Sequence, residues 1–151
     1  MNADFNLTED AVKLDKRLKG LKWITPHYSN QPLSEISLLI DIKNILSEEN
    51  EGKIIITDYQ FFSSILNNKF ASPNKWYDNL SIPNKKNKYY NVHKNFFLSK
   101  IKKNKIKRLF FIGKNKSEMY FFEEFFNENE CIISHQFNEL LLEFDISKCK
   151  F

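Results

Sequence analysis

The sequence predicts a small three-layer α/β fold: a mostly parallel sheet with helices on both faces and a C-terminal antiparallel hairpin at its edge. Two short apolar runs, Ile54-Ile-Ile56 and Leu109-Phe-Phe-Ile112, have the length and composition of strands buried on both sides. Segments of helical periodicity lie between them. Residues 131–146 carry two further strand-like runs around a short polar connection.

Taken in order, residues 1–13 read as a loosely held lead-in to one domain spanning residues 1–151. Leu14 to Leu21 suits a short helix ended by Gly20, and Leu21 to Thr25 a short strand stopped by Pro26. Ser34 can cap a helix with Glu35 in its first turn, and Leu33, Ile36, Leu39, Ile40 and Leu46 fall near one face of it. Gly52 precedes a strand over Lys53 to Thr57, and Tyr59 to Leu66 reads as helical. Residues 67–87 hold Pro73 and Pro83 among many Asn and Ser, the composition of a long ordered loop. A second long helix is expected from Lys88 to Lys103, with Tyr89, Tyr90, His93, Phe96, Phe97 and Ile101 as its apolar stripe. Arg108 to Ile112 follows as a buried strand closed by Gly113. Ser117 can cap a short helix that lines up Phe121, Phe122, Phe125 and Phe126. Cys131 to His135 and Leu140 to Ile146 then form the hairpin, turning at Phe137-Asn-Glu139.

Composition agrees with a folded domain. The chain has 42% hydrophobic and 28% charged residues, with fifteen phenylalanines to build a bulky core. Its first residues lack the cationic start and apolar run of a secretory signal. No stretch approaches the roughly 18 apolar residues of a membrane span. A soluble chain is expected. Charge is uneven. Twelve of the 23 basic residues lie between Asn79 and Ser117, a window with no Asp or Glu, so the remaining 11 face 19 acidic residues. Such a window attracts anionic partners.

Few chemistries survive inspection. Phosphate-cradling loops need clustered glycines, and Gly20, Gly52 and Gly113 are isolated, so no nucleotide cofactor is expected. In open α/β sheets ligands gather beyond the carboxyl ends of the strands. That rim would carry Asp58, Tyr59 and Gln60, with Asn74, Lys75, Trp76 and Asp78 from a loop folding over it: carboxylates, an ammonium and a stacking surface suited to a sugar or nucleoside. The plainer reading makes Asp58 a helix cap and Trp76 a packing residue. Asp58 and Asp78 are the two carboxylates a glycosidase would need, though their spacing selects no geometry. His27, Cys131, His135 and Cys149 are the soft metal ligands, but they lack the close pairs of a zinc site, and no metal is expected. A Cys131–Cys149 disulfide is disfavoured, because the expected hairpin register offsets the two by roughly 10–13 Å, and only a curled terminus would close that gap. No serine sits in a nucleophile elbow, and no residue is assigned a catalytic role. Lys94, Lys100, Lys102, Lys103 and Lys105 mark a surface for an anionic membrane or, as the lesser alternative, nucleic acid. The interleaved aromatics recur at helical spacing and are expected to face the core.

Several blocks resemble the soluble C-terminal region of polytopic, protein-mannosyltransferase-like bacterial membrane glycosyltransferases of the GT-C type. They are Leu18-Lys-Gly-Leu-Lys-Trp-Ile-Thr-Pro26, Ile54-Ile-Ile-Thr-Asp-Tyr-Gln-Phe61, Ser72-Pro-Asn-Lys-Trp-Tyr-Asp78, Asn95-Phe-Phe97 and Asn138-Glu-Leu-Leu141. The resemblance runs from about Leu14 to Cys149. It implies a non-catalytic accessory domain beside a membrane portion of the same or an adjacent protein, on the extracytoplasmic side, helping to bind sugar or acceptor. In such enzymes the catalytic acid lies near the first membrane helix, a region with no counterpart in these residues, so no catalytic residue carries over. The alternatives are a basic binding module for nucleic acid or anionic lipid, and a small sugar- or nucleotide-processing enzyme centred on Asp58.

Overall fold

A computed structural model of the chain describes residues 5–49, 51–66, 72, 82–114, 125–126 and 131–150. The chain is α/β. Its described elements are β1 (Glu9–Asp10), β2 (Lys22–Trp23), α1 (Pro32–Glu48), β3 (Gly52–Thr57), α2 (Phe62–Ile65), α3 (Tyr90–Lys103), β4 (Ile106–Ile112), β5 (Ile133–Gln136) and β6 (Leu141–Asp145). They form two compact units, one of Met1–Glu49 with Phe61–Asn68 and the other of Asn50–Gln60 with Lys69–Phe151.

In the first unit, β1 pairs antiparallel with β2, so Glu9 and Asp10, expected in the loose lead-in, are tied into a two-stranded sheet. Ala11 and Leu14 are buried behind it, which is why the segment is held. The helix expected over Leu14 to Leu21 shrinks to a single 3-10 turn at Lys16–Leu18, capped by the Asp15 side chain. Gly20 then turns the chain at φ +90, a conformation that favours glycine. Pro32, rather than Ser34, opens α1, because its missing N–H costs nothing in a first turn. The buried face is Glu35, Ile36, Leu39, Ile42 and Leu46, while Leu33, expected inside, is half exposed.

Asp15 is the electrostatic centre of this unit. It is 7% exposed and accepts the Arg17 backbone N–H at 2.9 Å, Arg17 Nε at 2.9 Å and Lys43 Nζ at 2.7 Å. Arg17 in turn donates to the carbonyls of Ser64 and Ile65. The Arg17 guanidinium, and then Lys43, hold the Asp15 carboxyl far below its ordinary value of 3.8. A depressed carboxylate pKa contributes stability that is full above the free value and is lost progressively as pH falls from there down through the depressed folded value. Asp15→Asn should therefore melt several degrees lower than the parent at neutral pH. The gap should begin to narrow as pH drops below about 4 and keep narrowing toward stronger acid, which a pH series of thermal melts reads directly.

The second unit is a four-stranded mixed sheet in the order β3-β4-β6-β5. β3 and β4 are parallel neighbours, with Ile55 opposite Phe110, and the β5–β6 hairpin adds antiparallel strands to the far side of β4. Ile54, Ile56, Leu109, Phe111 and Phe144 pack with Tyr90, Phe97 and Ile101 of α3 and with Phe125 and Phe126. On the opposite sheet face Ile55, Phe110, Ile112 and Leu141 are buried as well. Burial on both sides explains why these strands read as continuous apolar runs rather than alternating ones. The aromatic helix expected around Ser117 lies mostly outside the described residues, and its Phe125 and Phe126 are buried in the core.

The α3–β4 turn is tight. Lys105 adopts φ +51 after Asn104 closes the helix, and its carbonyl faces the start of β3. A Cβ on Gly52 would sit 2.7 Å from that carbonyl oxygen. Gly52→Ala must therefore push backbone against backbone, and a loss of about 1–3 kcal/mol by urea denaturation is expected. One extra residue of β4, Lys107, bulges there and reaches Glu51 at 2.6 Å. Its neighbour Arg108 spans the strands to the buried Glu143 at 2.5 Å.

Candidate functional site

The carboxyl ends of β3 and β4 meet at one rim, since Thr57 pairs with Ile112. Local hydrogen bonds shape the turn after β3. Thr57 Oγ1 accepts the Tyr59 N–H at 2.9 Å, the Gln60 N–H donates to the Asp58 carbonyl at 3.0 Å, and Gln60 Nε2 donates to the Thr57 carbonyl at 2.9 Å. The Thr57 hydroxyl, not the Asp58 carboxylate, thus closes the turn, a short-range competition in which Ser and Thr side chains regularly succeed. Asp58 does not cap α2, which starts four residues on with no side-chain cap, and the helix expected over Tyr59 to Leu66 is confined to Phe62–Ile65. Asp58 and Gln60 are exposed, and Tyr59 is partly buried. Beside them the Gly113 N–H donates to the Leu140 carbonyl at 2.9 Å, closing the β4–β6 side of the rim. Asn74, Lys75, Trp76 and Asp78 lie outside the described residues. The described rim therefore offers a carboxylate and an amide to a polar ligand.

The basic residues do not form one patch. α3 buries Tyr90, Phe97 and Ile101, so its opposite side meets solvent. Lys102, Lys103 and Lys105 are exposed, whereas Lys94 and Lys100 are both partly buried, Lys100 lying over the Phe96 ring. Three basic residues in the last turn also complement the negative helix end. Of the six residues expected in the apolar stripe, Tyr89 and Phe96 are instead exposed, at 59% and 45%, together with Val92 at 67%. His93 is partly buried, 5.8 Å from the Phe125 ring, and burial pushes its pKa below the ordinary value. That imidazole packs against the core, as its place on the stripe suggests.

The cysteines overturn an expectation. Cys131 and Cys149 form a disulfide with Cα atoms 5.0 Å apart. The sheet pairs Ile133 with Asp145, whereas the expected register set Cys131 across from about Asp145 or Ile146; this shift of one or two residues puts Cys131 opposite the turn after β6. That turn curls the chain back, with the Cys149 N–H donating to the Ile146 carbonyl at 3.0 Å and Asp145 accepting the Ser147 N–H at 2.8 Å. Both sulfurs are committed to each other, which removes them as metal ligands. Among the described residues no group of three His, Cys, Asp or Glu side chains could hold a metal ion.

Two blocks singled out in the sequence meet in the first unit as packing. Glu35 is fully buried and accepts Trp23 Nε1 at 2.8 Å and Thr25 Oγ1 at 2.9 Å, while Trp23 stands edge-on to Phe61 with centroids 5.2 Å apart. Trp–Thr–Glu hydrogen bonding satisfies a carboxylate that would otherwise be costly to bury. No helix of the described residues is long and apolar enough to cross a membrane. No family model, curated protein or solved structure matches this chain.

Proposed function

We propose that this chain is a non-catalytic accessory domain of a membrane glycosyltransferase-like protein, working on the extracytoplasmic side and holding sugar or acceptor at the β3–β4 rim. The observation that carries the reading is the Cys131–Cys149 disulfide. Bonds of this kind persist in oxidising compartments and are rare in a reducing cytosol. It supports, independently of the block resemblance, the compartment that the resemblance implies. Asp58 and Gln60 suit hydroxyl-rich ligands, because a carboxylate and an amide together accept from and donate to a sugar. The bond also tests the compartment. Acid-quenched alkylation of the native protein in its own cells should leave both cysteines unlabelled, and labelling of both would overturn the extracytoplasmic reading. Membrane attachment is tested separately by the DNA upstream of Met1: an in-frame run of hydrophobic helices supports it, and a promoter with a ribosome site there overturns it.

A further inference from the structure

The outer side of α3 carries a stripe that core packing does not use. Tyr89, Val92, Phe96, Lys100 and Lys103 follow one another at spacings of three and four residues, which places them along one line of the helix. The three apolar members are exposed by 59%, 67% and 45%. Lysines flank them closely: Lys88 Nζ lies 4.9 Å from the Tyr89 ring centroid, and Lys100 Nζ lies 5.3 Å from that of Phe96. Lys85 and Lys86 lead into the helix, where the Asn84 and Asn87 side chains accept the backbone N–H groups of Lys86 and Tyr89 and fix the turn. The surrounding window, Asn79 to Ser117, holds no acidic residue.

We propose that this stripe docks on an anionic lipid bilayer, with Tyr89, Val92 and Phe96 entering the headgroup region and the flanking lysines on lipid phosphates. The arrangement is that of an interfacial helix, with an apolar ridge bordered by cations. Three features favour a bilayer over single-stranded nucleic acid. Base stacking needs open ring faces, and here ammonium groups stand over both rings. Val92, the most exposed of the three, has no ring to stack. The cations on the helix are all lysines, compact point charges without the planar fork that reads nucleic acid bidentately. Lysines can swing from the rings to phosphates as the rings enter the interface. The inference rests on the domain working beside a membrane, but on no particular enzyme.

Its test uses the whole 151-residue chain with phosphatidylcholine vesicles, with and without phosphatidylglycerol, in co-sedimentation. Binding is expected only with phosphatidylglycerol, and Lys100→Glu with Lys103→Glu should weaken it by about fivefold per residue at low salt. Val92→Ser with Phe96→Ser should weaken it about tenfold or more at low and high salt alike, because lost apolar burial is not screened. Phe96→Trp should shift its emission to the blue on binding and be quenched by spin-labelled lipid. Val92, Phe96 and Lys103 are exposed and Lys100 is partly exposed, with none of the four in the buried core, so circular dichroism and urea midpoints should stay near the parent's. Absence of binding at low salt, indifference to the Val92 and Phe96 changes, or tighter binding to a single-stranded oligonucleotide than to vesicles would each overturn the proposal. A negative upstream reading beside positive vesicle binding would remove the glycosyltransferase assignment and leave the docking surface intact.

Discussion

Phe97→Ala should be among the most damaging single changes in the chain, costing about 3–5 kcal/mol in a urea unfolding experiment. Phe97 is fully buried, packs at 5.4 Å against Phe125, and belongs to the cluster that joins α3 to Ile54, Leu109 and Phe111. Deleting its ring removes transfer energy and leaves a cavity that neighbouring aromatics fill poorly. Its sequence neighbour supplies the control. Phe96→Ala changes the same residue type on the same helix, yet its ring is 45% exposed, and a cost within about 1 kcal/mol is expected. Equal losses in the two variants would mean that α3 is rotated about its axis relative to the sheet, and the ridge of Tyr89, Val92 and Phe96 would no longer face outward.

The same pair shows how far the sequence could be read. Ile55 and Phe110 do stand side by side as strand neighbours, because a short apolar run bounded by glycine leaves a chain few other ways to bury itself. The α3 stripe was legible as a helix but not in its rotation. Tyr89-Tyr90 and Phe96-Phe97 are adjacent pairs seven residues apart, and successive residues point about 100° from each other around a helix. Both members of such a pair cannot be central to one core-facing stripe. Adjacency alone therefore implies an outward aromatic pair, though not which member of each pair turns out. Local turn chemistry was less legible. Whether Thr57 or Asp58 closes the turn after β3 depends on short-range geometry that residue types leave open, since both side chains are good acceptors of nearby backbone N–H groups. Four of the seven expected ligand residues, Asn74, Lys75, Trp76 and Asp78, lie outside the described residues, so the rim is known from its β3 side.

The terminal bond is hard to read for a different reason: a register shift of one or two residues in a hairpin moves every cross-strand distance. The turn rests on Asn138, whose side-chain oxygen accepts the N–H groups of both Leu140 and Leu141 at 2.9 Å. That Asx turn sets where β6 begins, and so brings Cys131 level with the curl that carries Cys149. Removing the bond is expected to cost about 3 kcal/mol, the chain-entropy value for a loop closed across 18 residues. The loss should appear first in β5. All four of its residues are exposed, it lies at the sheet edge beside β6, and it buries little apolar surface of its own. A hairpin strand with so little burial is marginal without a staple. In the Cys131→Ser, Cys149→Ser double variant, amide exchange at Ile133 to Gln136 should quicken well before that of Leu109 to Ile112, which lie in the buried centre of the sheet. A reductant should reproduce the destabilisation in the parent and leave the double variant unmoved. If reductant shifts neither the urea midpoint nor β5 exchange, the two sulfurs are not joined in solution, and the support that the bond lends to an oxidising compartment is lost with it.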